Sequence, residues 1–175
     1  MEKKERDIKM QETSDEYRKR IIGYTEGRDP LKLQAAAPKK LEALLKGASP
    51  SILHRKPAPG KWSIAEIVAH LADTELVAGY RIRAILGEPG TSIIGFDQDA
   101  WAAALHYEKH NVQKSFEQYC ACRMANLALL KMITPKQWNQ FGIHSERGKE
   151  SVKIIVRMYA GHDINHFRQI ERILE

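Results

Sequence analysis

The C-terminal stretch Ser151–Glu175, SVKIIVRMYAGHDINHFRQIERILE, decides the fold. At about 100° per residue its apolar side chains fall into a single stripe, which predicts a long amphipathic helix. His162 and His166 lie in this stripe one turn apart, so both imidazoles are expected to point into the core. The other members of the stripe are Val152, Ile155, Val156, Tyr159, Ile170, Ile173 and Leu174.

Two inward imidazoles on neighbouring turns have two interpretations. A buried imidazole loses its hydration and needs a partner. Each histidine could be hydrogen-bonded separately in the core, or both could bind one metal ion. The motif His162–His166, HDINH, also differs by one residue from the zincin pattern H-E-x-x-H, but Asp163 is too short to hold an attacking water as the protease glutamate does. The pair alone leaves the core and metal interpretations open.

The other histidines differ in their surroundings. His106 and His110 also stand one turn apart, but their polar neighbours predict an exposed face and make them weaker competitors for a metal. His54 and His144 fall in predicted loops. His70 lies at the border of the apolar stripe of another predicted helix. Three imidazoles from two helices would leave a coordination position for water or substrate, as in a catalytic metal site.

Helix start and stop signals divide the chain into four main helices. Asp29-Pro30 and the capping box Ser63–Glu66 are typical helix starts. The predicted helices cover Leu31–Leu45, residues 63 to about 86, a region from Asp97 to Ile133 with an irregularity near His110-Asn111, and residues from about 151 to the C-terminus.

The connections carry weaker signals. Ala48–Lys61 is rich in proline and is predicted to be a loop, and Thr134–Gln137 should start a short helix before the last main one. Gln140–Gly148 could form a loop or a short extended pair. Since no period-2 alternation of useful length occurs, the sequence predicts an all-α four-helix bundle over residues 29–175, preceded by a charged extension, residues 1–28, that is helical around Glu16–Tyr24.

Composition narrows the classes of protein and partner. The chain has 175 residues, enough for one domain with a core, and no apolar run approaches the roughly 18 residues that span a bilayer. The charged N-terminus lacks the apolar core of a signal peptide. Cys120 and Cys122 point about 200° apart on a helix, so we expect unpaired thiols. Together these features predict a cytoplasmic location and no membrane partner.

The net charge of +6 does not indicate nucleic acid as the primary ligand. Basic residues alternate with acidic ones almost everywhere, as in Arg168–Arg172, whereas phosphate-backbone binding needs a one-sided basic stripe. The charge indicates only a modest attraction for anionic small molecules. We therefore expect a small-molecule substrate, and an exposed apolar helix face could support a homodimer.

Two motifs resemble one known family. Lys56–Glu75, KPAPGKWSIAEIVAHLADTE, resembles the loop and second helix of the DinB-like superfamily. Gly161–Ile170, GHDINHFRQI, resembles its fourth-helix motif H-D-x-x-H-x-x-Q-I. The resemblance covers roughly residues 30–175, and two separate motifs in the right order make it specific.

The resemblance implies a four-helix bundle of unusual connectivity with a divalent metal, zinc or nickel, at one end. Carried onto this sequence, the metal ligands are His70, His162 and His166. Imidazole ligands suit either metal.

The resemblance also implies a function. Members of the family have been described as damage-inducible proteins and as metal-dependent hydrolases, and the better understood relatives are S-transferases and isomerases that use bacillithiol or mycothiol. The expected activity is therefore transfer of a low-molecular-weight thiol to small electrophiles, with the metal activating the thiolate. The alternatives are a hydrolase that uses metal-activated water and a non-catalytic metal-binding stress-response protein.

Further candidate residues surround the three histidines. Asp73, one turn after His70, is the candidate catalytic carboxylate, although a solvated helix carboxylate is the simpler interpretation. Tyr159 could face the site, and Arg168 could bind an anionic cofactor or be an ordinary surface arginine. Trp62 is expected to pack the second helix onto the bundle, and Gln169 and Asn165 could support the ligands or be surface groups.

Overall fold

The computed structural model describes residues 12–175, so the first part of the predicted charged extension lies outside the described residues. In that part of the chain, none of the helices has the length and low charge needed to cross a bilayer. The elements are α1 (Ser14–Gly23), α2 (Pro30–Leu45), α3 (Pro50–His54), α4 (Ile64–Gly87), β1 (Ser92–Ile93), α5 (Gln98–Ala104), α6 (Val112–Leu130), α7 (Pro135–Trp138), β2 (Phe141–His144), β3 (Gly148–Ser151) and α8 (Val152–Leu174).

Four of the helices form the bundle. α4 packs against α6 and α8, and α2 packs against the same two helices. The apolar stripe of α8 is buried as its spacing predicts, because an amphipathic helix can remove that face from water only by packing on its neighbours. The all-α four-helix bundle is confirmed. The largest core cluster includes Leu41, Ile64, Ile67, Val68, Leu71, Tyr119, Phe167 and Ile170.

The predicted caps fix the helix starts. The Asp29 carboxylate accepts the first free amides of α2, and Ser63 and Glu66 form the reciprocal capping box of α4. The Ser151 hydroxyl accepts the amide of Ile154 at the start of α8. Each cap satisfies a backbone N–H that has no partner within its helix.

The predicted helical region from Asp97 to Ile133 is broken in the structure. His106 adopts a left-handed conformation with φ of 54°, and a single 3-10 turn follows it. Asn111 then caps a new helix, α6, by accepting the amide of Lys114. The irregularity predicted near residue 110 is therefore a complete break between α5 and α6.

Two connections contain short elements that the sequence signals do not resolve. The predicted proline-rich loop Ala48–Lys61 includes one helical turn, α3. For Gln140–Gly148 an extended pair forms, but its second strand lies beyond the predicted range: β2 pairs antiparallel with β3, which begins at Gly148, and parallel with β1. These strands have two to four residues each, too few for a period-2 pattern to stand out.

A buried ionic network joins three bundle helices. The Arg123 side chain of α6 is 1% exposed, with its Nη2 atom 2.7 Å from Glu75 Oε2 of α4 and its Nη1 atom 2.7 Å from Asp163 Oδ2 of α8. Nη1 also donates to the carbonyl of Gln34 on α2, and Asn126 Nδ2 donates to the second Glu75 oxygen. Both Asp163 oxygens accept from Arg123, and Glu75 accepts from Arg123 and from the neutral amide of Asn126, so each buried carboxylate has the counter-charge that it requires.

Helix α1 packs on α8 by a close backbone approach. Ile21 is fully buried, and its carbonyl oxygen lies so close to Gly161 that a Cβ atom added there would overlap it. Glycine permits this approach because it has no side chain. The contact lies beside His162 and makes α1 part of that end of the bundle.

Replacing Arg123 should destabilise the fold strongly. Arg123→Met leaves Glu75 and Asp163 buried without a counter-charge, so we expect the free energy of unfolding to fall by about 3–5 kcal/mol in urea titrations. Arg172→Met is the control, because Arg172 is exposed and its side chain donates to the carbonyl of Arg168 on its own helix. An equal loss of unfolding free energy in the two variants would show that the buried ion pairs do not stabilise the fold.

Gly161→Ala should displace α1. The new methyl group meets backbone rather than a flexible side chain, so we expect a loss of about 1–3 kcal/mol in unfolding free energy and faster proteolysis near α1. Gly87→Ala is the matched control, because nothing lies within 4 Å of its added Cβ. Alanine favours helix over glycine, so the control should be neutral or slightly stabilised.

Candidate metal centre

Three histidines converge between α4 and α8. The Nε2 atom of His162 lies 3.0 Å from His70 Nε2 and 3.0 Å from His166 Nε2. One nitrogen from each of the three side chains falls within 4.8 Å of the others. The structure therefore brings together the three residues that the sequence selected as ligands.

Burial keeps all three imidazoles neutral. His70, His162 and His166 are 2%, 8% and 5% exposed. Desolvation lowers the pKa of His70 and His162 well below the usual value and lowers the pKa of His166 to about 4. A neutral imidazole with a free lone pair is the form that binds a metal.

The hydrogen bonds of the cluster are incomplete without a cation. His166 Nδ1 lies 2.8 Å from Gln169 Oε1, which fixes the proton on Nδ1 and leaves a lone pair on Nε2. His162 Nε2 carries one proton or one lone pair, so only one of its two short contacts can be a hydrogen bond. His162 Nδ1 is buried and has no partner among the described residues. Three Nε2 lone pairs directed at one divalent ion would resolve the conflict at His162 Nε2 and leave the proton of that ring on Nδ1, so the donor set fits zinc or nickel.

An aromatic wall closes one side of the cluster. The Trp62 ring centroid lies 4.8 Å from that of His70, and the ring stacks on His166 with an interplanar angle of 13°. Sequence reasoning assigns Trp62 to packing alone. Its position directly before the cap of the His70 helix was the available signal.

The opposite side of the cluster opens into a cavity of about 600 Å³. His70, Thr74 and His162 lie in its wall, so two of the three candidate ligands are reached from it. The remaining wall comes from α1, the loop around Phe96, the β2–β3 hairpin and α8. The cluster therefore has both a buried back and an accessible front, as an open coordination position requires.

Two of the residues predicted to support the site, Tyr159 and Gln169, lie at it, and Asn165 has another partner. Tyr159 lines the cavity, and its ring centroid is 6.3 Å from that of His162. Gln169 orients His166, whereas Asn165 accepts a hydrogen bond from Arg20.

Asp73 and Arg168 are not brought to the cavity. The Asp73 oxygens accept hydrogen bonds from Tyr107 and Gln118, and the hydroxyl group next to His70 is that of Thr74 instead. Arg168 is exposed and its guanidinium lies over the Tyr24 ring. The geometry thus gives neither residue a place beside the histidines.

Two cavity residues escape sequence reasoning. Arg81 follows His70 by about three helical turns and therefore shares its side of α4, which was an available signal. His144 reaches the cavity because it lies on β2, and the short sheet gave no clear signal.

Similar proteins carry metal-dependent names. Two proteins of Oceanobacillus iheyensis, 27% and 25% identical over 112 and 111 residues, are each named "putative metal-dependent hydrolase". The matches cover 64% and 63% of this chain and span 64% of the length of each relative. A protein of Geobacillus thermodenitrificans with the same description is 25% identical over 76% of this chain and 75% of its own length.

Solved structures share the fold. YfiT from Bacillus subtilis, described as a probable metal-dependent hydrolase with an unusual four-helix bundle topology, superposes with a TM-score of 0.78 at 20% identity over 98% of this chain and 91% of its own. The four-helix bundle protein TT2238 gives a TM-score of 0.57 at 20% identity over 82% of this chain and 96% of its own. The family model for the DinB superfamily matches residues 34–170, well over half of the sequence, and the chain therefore belongs to the DinB superfamily.

Proposed function

We propose that the protein is a metal-dependent enzyme that transfers a low-molecular-weight thiol, such as bacillithiol or mycothiol, to small electrophiles. His70, His162 and His166 would hold the divalent ion, zinc or nickel, and the cavity beside them would admit the two small molecules. A bound ion would supply Lewis acidity that lowers the pKa of a thiol at its open position.

The placement of nearby carboxylates carries the preference for thiol transfer. Metal-dependent hydrolases of the zincin type pair the Lewis acid with a carboxylate that acts as base for the attacking water. Asp73 is held by Tyr107 and Gln118, while Glu75 and Asp163 are both committed to the buried arginine of α6. None of these three carboxylates is free to act at the histidines, and a thiol that ionises at the metal does not need one.

Hydrolysis is the second candidate, favoured by the names of the relatives from Oceanobacillus and Geobacillus. Its base would be Glu146 or Asp99, two carboxylates that also line the cavity. Both carboxylates are exposed, whereas the three histidines are buried.

A cytoplasmic location accords with thiol chemistry. Cys120 and Cys122 are free, as is usual for a reducing compartment. Low-molecular-weight thiols would also stay reduced there.

Metal content tests the ligand assignment. Untagged wild-type protein should contain about one equivalent of zinc or nickel by elemental analysis, and His166→Ala should lose most of it because two imidazoles hold an ion less well than three. His54→Ala is the control, since this exposed histidine of α3 lies outside the cluster. Full metal in His166→Ala, or none in reconstituted wild type, would reject the assignment.

Thiol dependence separates the two activities. Metal-loaded protein should conjugate 1-chloro-2,4-dinitrobenzene only with added bacillithiol or mycothiol, and His162→Ala should lose at least about 100-fold in rate, as expected when a metal that ionises the nucleophile is lost. The measurement is the absorbance of the thioether product. Hydrolysis of 4-nitrophenyl acetate without thiol, lost in the same variant, would instead establish the hydrolase.

A further inference from the structure

We propose that the end of the cavity beyond Tyr159 binds an oxyanion, a carboxylate or phosphate, through Arg81 and His144. The inference deepens the proposed function, on which it rests, because it names the chemical class of the small molecule: one that carries an oxyanion at the end remote from the histidines. Arg81 and His144 are then binding residues that set its orientation.

Arg81 is a buried cation without a counter-ion. It is 6% exposed and lines the cavity. Its Nη1 atom donates to the Tyr159 hydroxyl at 3.2 Å, and its Nη2 atom donates to the carbonyl of Ile94 at 2.8 Å. Both acceptors are neutral, and none of the ion pairs among residues 12–175 includes Arg81. A buried charge is costly until a partner neutralises it, and a guanidinium binds oxyanions with particular strength.

His144 supplies an independent donor in the same cavity. Its Nδ1 atom accepts the backbone N–H of Glu146 at 3.1 Å, so in the neutral ring the proton lies on Nε2. Burial and the nearby Arg147 charge lower the pKa of His144, which keeps the ring neutral at pH 7. His144 is 2% exposed, and its buried Nε2 atom has no acceptor among the described residues. An unsatisfied buried N–H needs an acceptor, and a ligand oxygen would supply it.

The carboxylates of the cavity wall do not neutralise the Arg81 guanidinium. Glu150 pairs with Arg147 and Glu12 pairs with Arg20, each at 2.7 Å. The Asp97 side chain accepts the first amides of α5. The other two carboxylates are those of Asp99 and Glu146, which are exposed and therefore screened by water and salt.

Tyr159 connects the two ends of the cavity. Its ring lies beside His162 and its hydroxyl contacts Arg81, so the histidine cluster, the tyrosine and the guanidinium follow one another along the wall. A small molecule with its oxyanion at Arg81 would extend past Tyr159 with its other end at the histidines. Binding at the remote end thus positions the reacting end, which is how an enzyme uses remote contacts.

The test compares two probes that differ only in the anion. Zinc-loaded wild-type protein is titrated by calorimetry with N-acetyl-L-methionine and with N-acetyl-L-methioninamide, neither of which contains a thiol. We expect the acid to bind at least about tenfold more tightly than the amide, as for a hydrogen bond to a charged group. Equal dissociation constants in wild type would overturn the proposal, and this result needs no variant to fold.

Variants locate the anion. Arg81→Gln should bring the two dissociation constants within about twofold of each other. Arg81→Lys keeps the charge and should retain a reduced preference for the acid. It also tests the proposal if the glutamine variant fails to fold. Arg83→Gln is the matched control, because Arg83 lies on the same helix, outside the cavity, and should keep the full preference. A full preference in both Arg81 variants would mean that the carboxylate binds elsewhere, for instance the zinc, and would overturn the proposal.

Competition identifies the oxyanion. If inorganic phosphate displaces N-acetyl-L-methionine from wild type and from Arg83→Gln but not from Arg81→Gln, the site is assigned a phosphate-type ligand. If phosphate does not displace it from wild type, the site is assigned a carboxylate. Either result supports the proposal once the acid preference is established. If the acid preference holds while no thiol is transferred, the oxyanion site stands and the thiol-transfer function fails.

Discussion

The buried guanidinium of Arg123 is the constraint on which the arrangement of the bundle depends. Its two carboxylate partners come from α4 and α8, so these helices can only be rotated in one way if both charges are to be satisfied. Asp163 directly follows His162, about 100° around the helix axis. When Asp163 faces Arg123, His162 and His166 therefore face His70 across the α4–α8 contact. The ionic network and the histidine cluster are two consequences of one helix orientation.

The same network also holds two buried carboxylates away from the histidines. On one side of α8 Arg123 pairs with Glu75 and Asp163, two acidic groups on the helices that carry the histidines. On the other side the cavity contains neutral imidazoles and Arg81, which has no ion pair among the described residues, and its carboxylates are paired, cap a helix or are exposed. A region with open lone pairs and an unneutralised cation favours a metal at one end and an anion at the other. The proposed thiol transfer would use both ends, with the thiol at the metal and an oxyanion at Arg81.

Local signals in the sequence predicted much of this fold and part of the site. Helix caps and the apolar stripes are local, since they depend on residues three or four positions apart, and Ser63, Thr134 and Ser151 act as their spacing indicates. The break at His106 is not local in this sense, because a left-handed residue other than glycine is held by its surroundings. The partners of Asp73 also come from distant elements, Tyr107 and α6, which no helical periodicity could reveal.

Arg81 and Arg123 show how an interior arginine can be interpreted. Both are buried, and a charge in the interior must have a partner. Arg123 pairs with two carboxylates of the chain, so its charge is neutralised in the folded protein and its role is structural. Among the described residues, the hydrogen-bond acceptors of Arg81 are a hydroxyl and a backbone carbonyl, and Arg81 lies at the wall of a cavity rather than in packed core. A guanidinium that the fold leaves electrostatically incomplete beside open space is a group for binding, and the chemistry that completes it is that of an oxyanion.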